Sequence, residues 1–293
     1  MSGGSAGGSL TGDPADHLGP AGIATFVCAF LVLTAVFAAG STAAGRHDES
    51  PVPIREIALA APGSEAWKPL FFRSIQRHTS YEIGMDPAGR PAYRAVSDCG
   101  ASLMRLALPD DLDLAQTPRL AWRWRIEQGL DVESEKTKSG DDFAARVYVL
   151  FEFDSKSAGL LERLERALGR RLFGLDMPGQ TLNFVWASRA EVGEFWTSPY
   201  HANARLIAVA SHSAEASRDG WRRTIVDLTD SARRLFDPPP RRRPYALALM
   251  VDADDVCARA VAWFSDFRLL GPAPTHPQGA STALPASGAA EIP

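Results

Sequence analysis

At 293 residues, with 45% apolar and 23% charged residues, the chain has material for one large core or two small ones. Its net charge of −4 lies too close to neutrality to give the electrostatic footprint of a nucleic-acid-binding protein.

Residues 23–39 (IATFVCAFLVLTAVFAA) carry no charge, and small residues (GSTAAG) follow them. A signal peptidase would accept Ala38–Gly40 or Thr42–Ala44. Residues 1–40 therefore read as a signal peptide or, if uncleaved, as an N-terminal membrane anchor near the lower length limit for a bilayer span. The preceding leader is unusual in having no Lys or Arg. The expected location is periplasmic or secreted, with membrane contact only through an uncleaved N-terminal segment. Residues 41–53 read as a linker, 54–270 as the folded body, and 271–293 as a Pro/Ala/Gly/Ser-rich tail expected to be disordered.

Within the body, ten short β-type runs recur between turn signals: 78–85, 91–98, 101–108, 119–126, 143–153, 181–187, 204–210, 221–227, 245–252 and 260–270. Many short strands with Gly, Pro and Asp punctuation predict an all-β fold, a jelly-roll-type β-sandwich. One or two short peripheral helices are expected. Residues 157–173 place Leu160, Leu161, Leu164, Leu168 and Leu172 on one stripe. Residues 228–236 stop before a run of prolines that bars continuation.

Successive side chains on a strand point to opposite faces, so odd and even positions can be sorted. In 143–153 the apolar set is Phe143, Ala145, Val147, Val149, Phe151 and Phe153, against Ala144, Arg146, Tyr148, Leu150 and Glu152. In 119–126 Leu120, Trp122, Trp124 and Ile126 oppose Arg119, Ala121, Arg123 and Arg125. In 181–187 Leu182, Phe184 and Trp186 oppose Thr181, Asn183, Val185 and Ala187. In 263–269 Trp263, Ser265, Phe267 and Leu269 oppose Phe264, Asp266 and Arg268. Trp122, Trp124, Trp186 and Trp263 are thus assigned to the core. If these strands share a sheet, the other face gathers arginines, an amide and a phenol. Arginine's planar fork suits carboxylates and vicinal hydroxyls. The plain alternative is a solvated or internally salt-bridged sheet face.

The blocks WRWRI (122–126), KSGDDFAARVYVLF (138–151), TLNFVWA (181–187), SPYHANARLIAVAS (198–211) and YALALMVDADD…AVAWFSDF (245–267) resemble, in this order, an exported bacterial family. It is the domain-of-unknown-function family number three-zero-four-seven. The resemblance implies export and a sandwich similar to carbohydrate-binding modules, and it implies no activity. The family's acid-rich turn usually ends in Asn-Thr. In VDADDV (251–256) Asp252 and Asp254 fit that pattern, whereas Asp255 and Val256 depart from it.

These residues support a non-catalytic module that binds a saccharide or another envelope polymer. The candidate contacts are Arg123, Arg125, Asp142, Arg146, Tyr148 and Asn183. One alternative is a polysaccharide hydrolase or lyase using acids at 141–142 and 252–255, with Asp142 paired to Asp252 or Asp266, because glycoside cleavage needs two carboxylates flanking the bond. Another is a structural envelope protein that docks a protein partner. No cofactor is expected beyond Ca²⁺, for which Asp252, Asp254 and Asp255 offer oxygen ligands, although the spacing lacks the glycine and distal glutamate of an EF-hand loop. The plainer account of the same aspartates is a strand-end turn accepting backbone N–H bonds. The six histidines show no zinc-binding spacing. Cys99 and Cys257 read as two separate buried thiols, a single disulfide being the alternative that an oxidising compartment allows.

Overall fold

In the computed structural model the described residues are 55–156, 159, 178–211 and 220–273. Among them are thirteen strands in two sheets, just under half of the described residues. Sheet A contains β1 (Glu56–Ala58), β3 (Ser80–Met85), β4 (Pro91–Asp98), β6 (Arg119–Gln128), β11 (Arg222–Asp227) and β13 (Arg259–Leu270). Its order is β11-β6-β13-β4-β3, with β1 also paired to β13. Sheet B contains β2 (Trp67–Leu70), β5 (Ala101–Ala107), β7 (Arg146–Phe151), β8 (Thr181–Ala187), β9 (Phe195–Thr197), β10 (Ala204–Ser211) and β12 (Pro244–Asp252). Its order is β2-β5-β12-β7-β8-β10-β9. Strands β4 to β7 and β10 to β13 alternate between the sheets in sequence, a jelly-roll habit. All ten sequence-predicted strands are present; β1, β2 and β9, at three or four residues, are too short to show a period.

Period-two alternation builds the core. From sheet A, Leu120, Trp122, Trp124 and Phe264 are fully buried; from sheet B, Val147, Val149, Leu182, Phe184, Leu247 and Leu249 meet them. The rings interlock across the layers, with Trp122 5.8 Å from Phe184 and Trp124 5.5 Å from Trp186 between centroids. Fully burying each such side chain stabilises the fold by roughly 1.5–3 kcal/mol.

Two placements differ from the alternation reading. Trp263 is half-exposed on the outer face of sheet A, while Phe264 is fully buried. The cause is a bulge: Asp266 takes a left-handed φ of 57°, and the β13–β6 register slips between Ser265 and Arg268. The inward phase is therefore even-numbered up to Phe264 and odd-numbered from Phe267 onward. Phe143 precedes β7 and leaves the main core for a second cluster with Val185, Ala187, Trp196, Leu206 and Ala208. That cluster buries the outward side of β8, which the sequence read as mixed.

The predicted helix over 228–236 is present as α1 (Leu228–Leu235). Asp227 caps it by accepting from the Asp230 N–H at 2.8 Å, and Leu228, Ala232 and Leu235 face the core. The predicted helix over 157–173 except residue 159, the segment 23–39, the linker 41–53 and the tail from 274 lie outside the described residues. Among the described residues no helix is long and apolar enough to cross a membrane.

Cys99 and Cys257 are joined in a disulfide, which corrects the reading as separate thiols. Sequence spacing could not reveal this, because 158 residues separate them. The bridge ties the β4–β5 turn to the β12–β13 turn, and the Cys99 N–H donates to the Ala258 carbonyl at 2.8 Å.

Candidate functional site

The outer face of sheet B carries a groove of about 1380 Å³. Its floor comes from the outward positions of β5, β12, β7 and β8, among them Leu103, Met250, Tyr148 and Asn183. One wall is apolar, with Leu70, Phe72 and Ile75; the opposite wall is polar, with Ser198, Tyr200 and His201.

Arg146 organises one end of this groove although it is only 5% exposed. Its Nε donates to Asp252 Oδ1 at 2.8 Å, and its Nη2 is paired with Asp252 Oδ2 and donates to the Asp141 carbonyl at 2.6 Å. Its Nη1 lies 3.6 Å from Asp141 Oδ1, and its guanidinium carbon 4.7 Å from the Phe143 ring centroid. Burial opposes the charge on Arg146, but Tyr148, Asp141 and Asp142 outweigh it, so its pKa is raised and it stays cationic.

The acids divide by role. Asp142 is fully buried and does not line the groove; its Oδ2 accepts from the Val256 N–H at 2.7 Å and so holds the β12–β13 turn. Asp254 and Asp255 on that turn do line the groove, and Tyr200 donates to Asp255 at 2.6 Å. Burial pushes Asp141 and Asp142 up to about 6, with Arg146 pulling both back. Asp254 is raised by burial and then by Asp255; Tyr200 is raised by burial and then by its bond to Asp255. Gly140, in the 3-10 turn Lys138–Gly140, is explained by close approach: a Cβ there would collide with the Ser134 carbonyl oxygen.

Tyr148 and Asn183 lie side by side across β7 and β8. The Tyr148 hydroxyl donates weakly to Met250 Sδ at 3.6 Å, with Asn183 beside it on β8. Burial pushes Tyr148 up to about 12. Asn183 Oδ1, on a residue only 2% exposed, has no donor; Asp141 Oδ1 and Asp142 Oδ1 are also without a hydrogen-bond donor.

The sequence-predicted set is thus divided. Arg146, Tyr148 and Asn183 share the groove with Asp252, Asp254 and Asp255, and Asp142 stands behind them. Arg123 and Arg125 do not join them, which corrects the expectation of one shared face. They lie on β6 in sheet A, where the guanidinium of Arg125 sits 5.3 Å from the Trp263 ring and that of Arg123 5.8 Å from Trp221. Alternation identifies a face but not the sheet that owns it. Asp266 is also in sheet A, paired with Arg90 at 3.0 Å and with Arg268, so it forms no carboxylate pair with Asp142. The sequence reading missed Tyr200, His201 and the apolar wall; the SPYHANA block carried the only signal for the first two.

For a cation, the carboxylates within 4.8 Å of one another are Asp142, Asp252 and Asp254, with Asp255 turned to Tyr200 instead. Arg146 already engages both oxygens of Asp252 and supplies the positive charge of the cluster. A hard cation needs six to eight oxygens, and this donor set spends its central carboxylate on arginine.

Residues 65–268 match a family described as "Protein of unknown function (DUF3047)", and the chain belongs to that family. No curated protein matches the chain in sequence. Among solved structures it is similar to a family 11 carbohydrate-binding module from Clostridium thermocellum in complex with a beta-1,3-1,4-mixed-linked tetrasaccharide. That likeness has 9% identity and a TM-score of 0.36 over 74% of this chain and 95% of that one. A family 11 xylanase from Neocallimastix patriciarum gives 11% identity and a TM-score of 0.27 over 74% and 96%. Tailspike protein 4 of bacteriophage CBA120, in its enzymatically active domain, gives 7% and 0.33 over 71% of this chain and 19% of that one. These scores are too low to add to the architecture, which rests on the strand pairing itself.

Proposed function

We propose that this member of the DUF3047 family is an exported, non-catalytic module that binds a saccharide chain in the groove of sheet B. The observation that carries this reading is the buried acceptor Asn183 Oδ1 on the groove floor, left without a donor beside Tyr148. A buried polar group without a partner costs about 1–3 kcal/mol, so the site favours a ligand rich in O–H donors. The apolar wall at Leu70, Phe72 and Ile75 suits the C–H face of a sugar ring while the opposite wall meets its hydroxyls.

The disulfide and the apolar segment 23–39 with its small-residue flank support export. Catalysis by the expected acid pairs is disfavoured on geometry: Asp142 is shut away from the groove, Asp252 is held by Arg146, and Asp266 belongs to the other sheet.

A glycan array probed with the full chain tests the reading. Binding to a defined saccharide, lost in Asn183→Leu with the circular dichroism spectrum retained, is the expected result. Retention of wild-type affinity in that variant would overturn the assignment to this groove.

A further inference from the structure

The groove's two ends differ in charge. At the far end Arg243 pairs with Asp110 at 2.7 Å and with Glu152 at 3.0 Å, while Arg105 lies between the ends, in the strand row of Tyr148 and Asn183. At the other end stand Asp141, Asp252, Asp254 and Asp255, with Asp142 behind them. Among the described residues Arg146 and Lys138 are the cations placed beside these five carboxylates, and the Lys138 ammonium lies 5.4 Å from the Tyr200 ring centroid. Five carboxylates less two cations leave a formal charge of −3 (5 − 2 = 3).

The excess is not spent within the fold. Asp252 is neutralised by Arg146, and Asp255 accepts from an uncharged phenol rather than a cation. No hydrogen bond or salt bridge from a cationic side chain reaches Asp254 among the described residues. Independently of the acids, Asn183 Oδ1 turns a buried acceptor toward the same groove, one β7 alternation step from Arg146. Acceptors and negative charge thus outnumber the donors and positive charge beside them, and complementarity of this kind selects partners more than it strengthens binding at large.

We infer that the saccharide taken by this groove carries a protonated amine, an amino sugar of the de-N-acetylated hexosamine class, with its ammonium at Asp254 and Asp255. This rests on the groove reading above. An ammonium offers three donors and a compact charge, and it fits beside carboxylates that a neutral hydroxyl would leave uncompensated. Tyr200, 55% exposed at the same end, offers aromatic surface to the sugar carrying that amine.

Isothermal titration of the full chain with three tetrasaccharides tests this: fully deacetylated chitotetraose, its N-acetylated counterpart and cellotetraose. Slightly below neutral pH and at low salt, the deacetylated sugar is expected to bind about tenfold or more tightly than either neutral one. That preference is expected to disappear in Asp254→Asn/Asp255→Asn, whose side chains keep the acceptor for Tyr200, and to shrink as salt is raised. If the double variant does not fold, the salt dependence of the wild type decides, and its absence overturns the inference. Equal or tighter binding of a neutral tetrasaccharide, lost in Asn183→Leu, overturns the amine and leaves the groove standing. Binding of none of the three, with a blank glycan array, overturns both.

Discussion

The two outer faces of this sandwich carry the same residue types and use them differently. On sheet A, Arg94 and Arg125 flank Trp263, and Glu127 accepts from the Trp263 indole at 2.7 Å and from Arg94 at 2.7 Å. Those bonds, Arg94 first, hold Glu127 down at about 2. Arg94 and Arg125 pair with Glu127 in their own sheet and stay partly solvated, and the leftover capacity there, at Arg123 Nε, Arg125 Nε and Arg222 Nη1, is of donors rather than acceptors. On sheet B, Arg146 and its aspartates are buried, and acceptors are left over. What distinguishes sheet B is not a row of arginines but leftover acceptors lining a groove.

Removing one arginine from each face gives the sharpest contrast. Arg146→Met leaves Asp252 and Asp141 buried without their cation, a loss of about 3–5 kcal/mol. Arg125→Met removes a half-exposed cation–π contact worth under about 1 kcal/mol. Urea denaturation measures both, and equal losses would break the contrast. Adding Asp252→Asn to Arg146→Met should recover part of the loss, since the stranded charge is then gone.

The disulfide comes next in size. Cys99→Ser/Cys257→Ser frees the turn that carries Asp254 and Asp255 and is expected to cost about 2–4 kcal/mol in the same titration. Its effect should be local to sheet B: saccharide affinity falls while the Trp263 environment, read by fluorescence, is unchanged.

A smaller effect is expected from pH. Asp141 and Asp142 titrate near 6 in the fold against 3.8 for the free side chain. Between those values the folded state holds more protons than the unfolded one, so stability rises as pH falls through that window. Below it, Glu127 and Asp86, both lowered by their arginine partners among other contacts, reverse the slope as they protonate. Melting temperature against pH should therefore peak in mild acid. Asp142→Asn, which still accepts from Val256, should flatten the rise; an unchanged profile would show that Asp142 is not its source. Smallest of all, Trp263→Phe should cost about 1 kcal/mol or less and leave saccharide binding untouched.

Much of this was legible in the sequence. Alternation placed Trp122, Trp124, Val147 and Phe184 inward and Arg146 and Tyr148 outward, and the run of prolines marked the end of α1. The period failed where the backbone departs from a regular strand, at the Asp266 bulge and in the loop carrying Phe143. Strand pairing was illegible because a two-residue period says nothing about neighbours; alternation alone therefore cannot separate Arg123 and Arg125 on sheet A from Arg146 on sheet B. The disulfide and the Tyr200–Asp255 bond join residues far apart in sequence, and only the closed sandwich brings them together.

Hydroxyl-radical footprinting with a bound saccharide tests the central claim most directly, because it reads side-chain cover on both faces at once. Protection of Tyr148, Leu150, Phe72 and Tyr200, with Trp263 and Ile225 as reactive as in the free protein, is the predicted result. Protection of Trp263 with an unchanged Tyr148 and Tyr200 would move the site to sheet A and contradict the account.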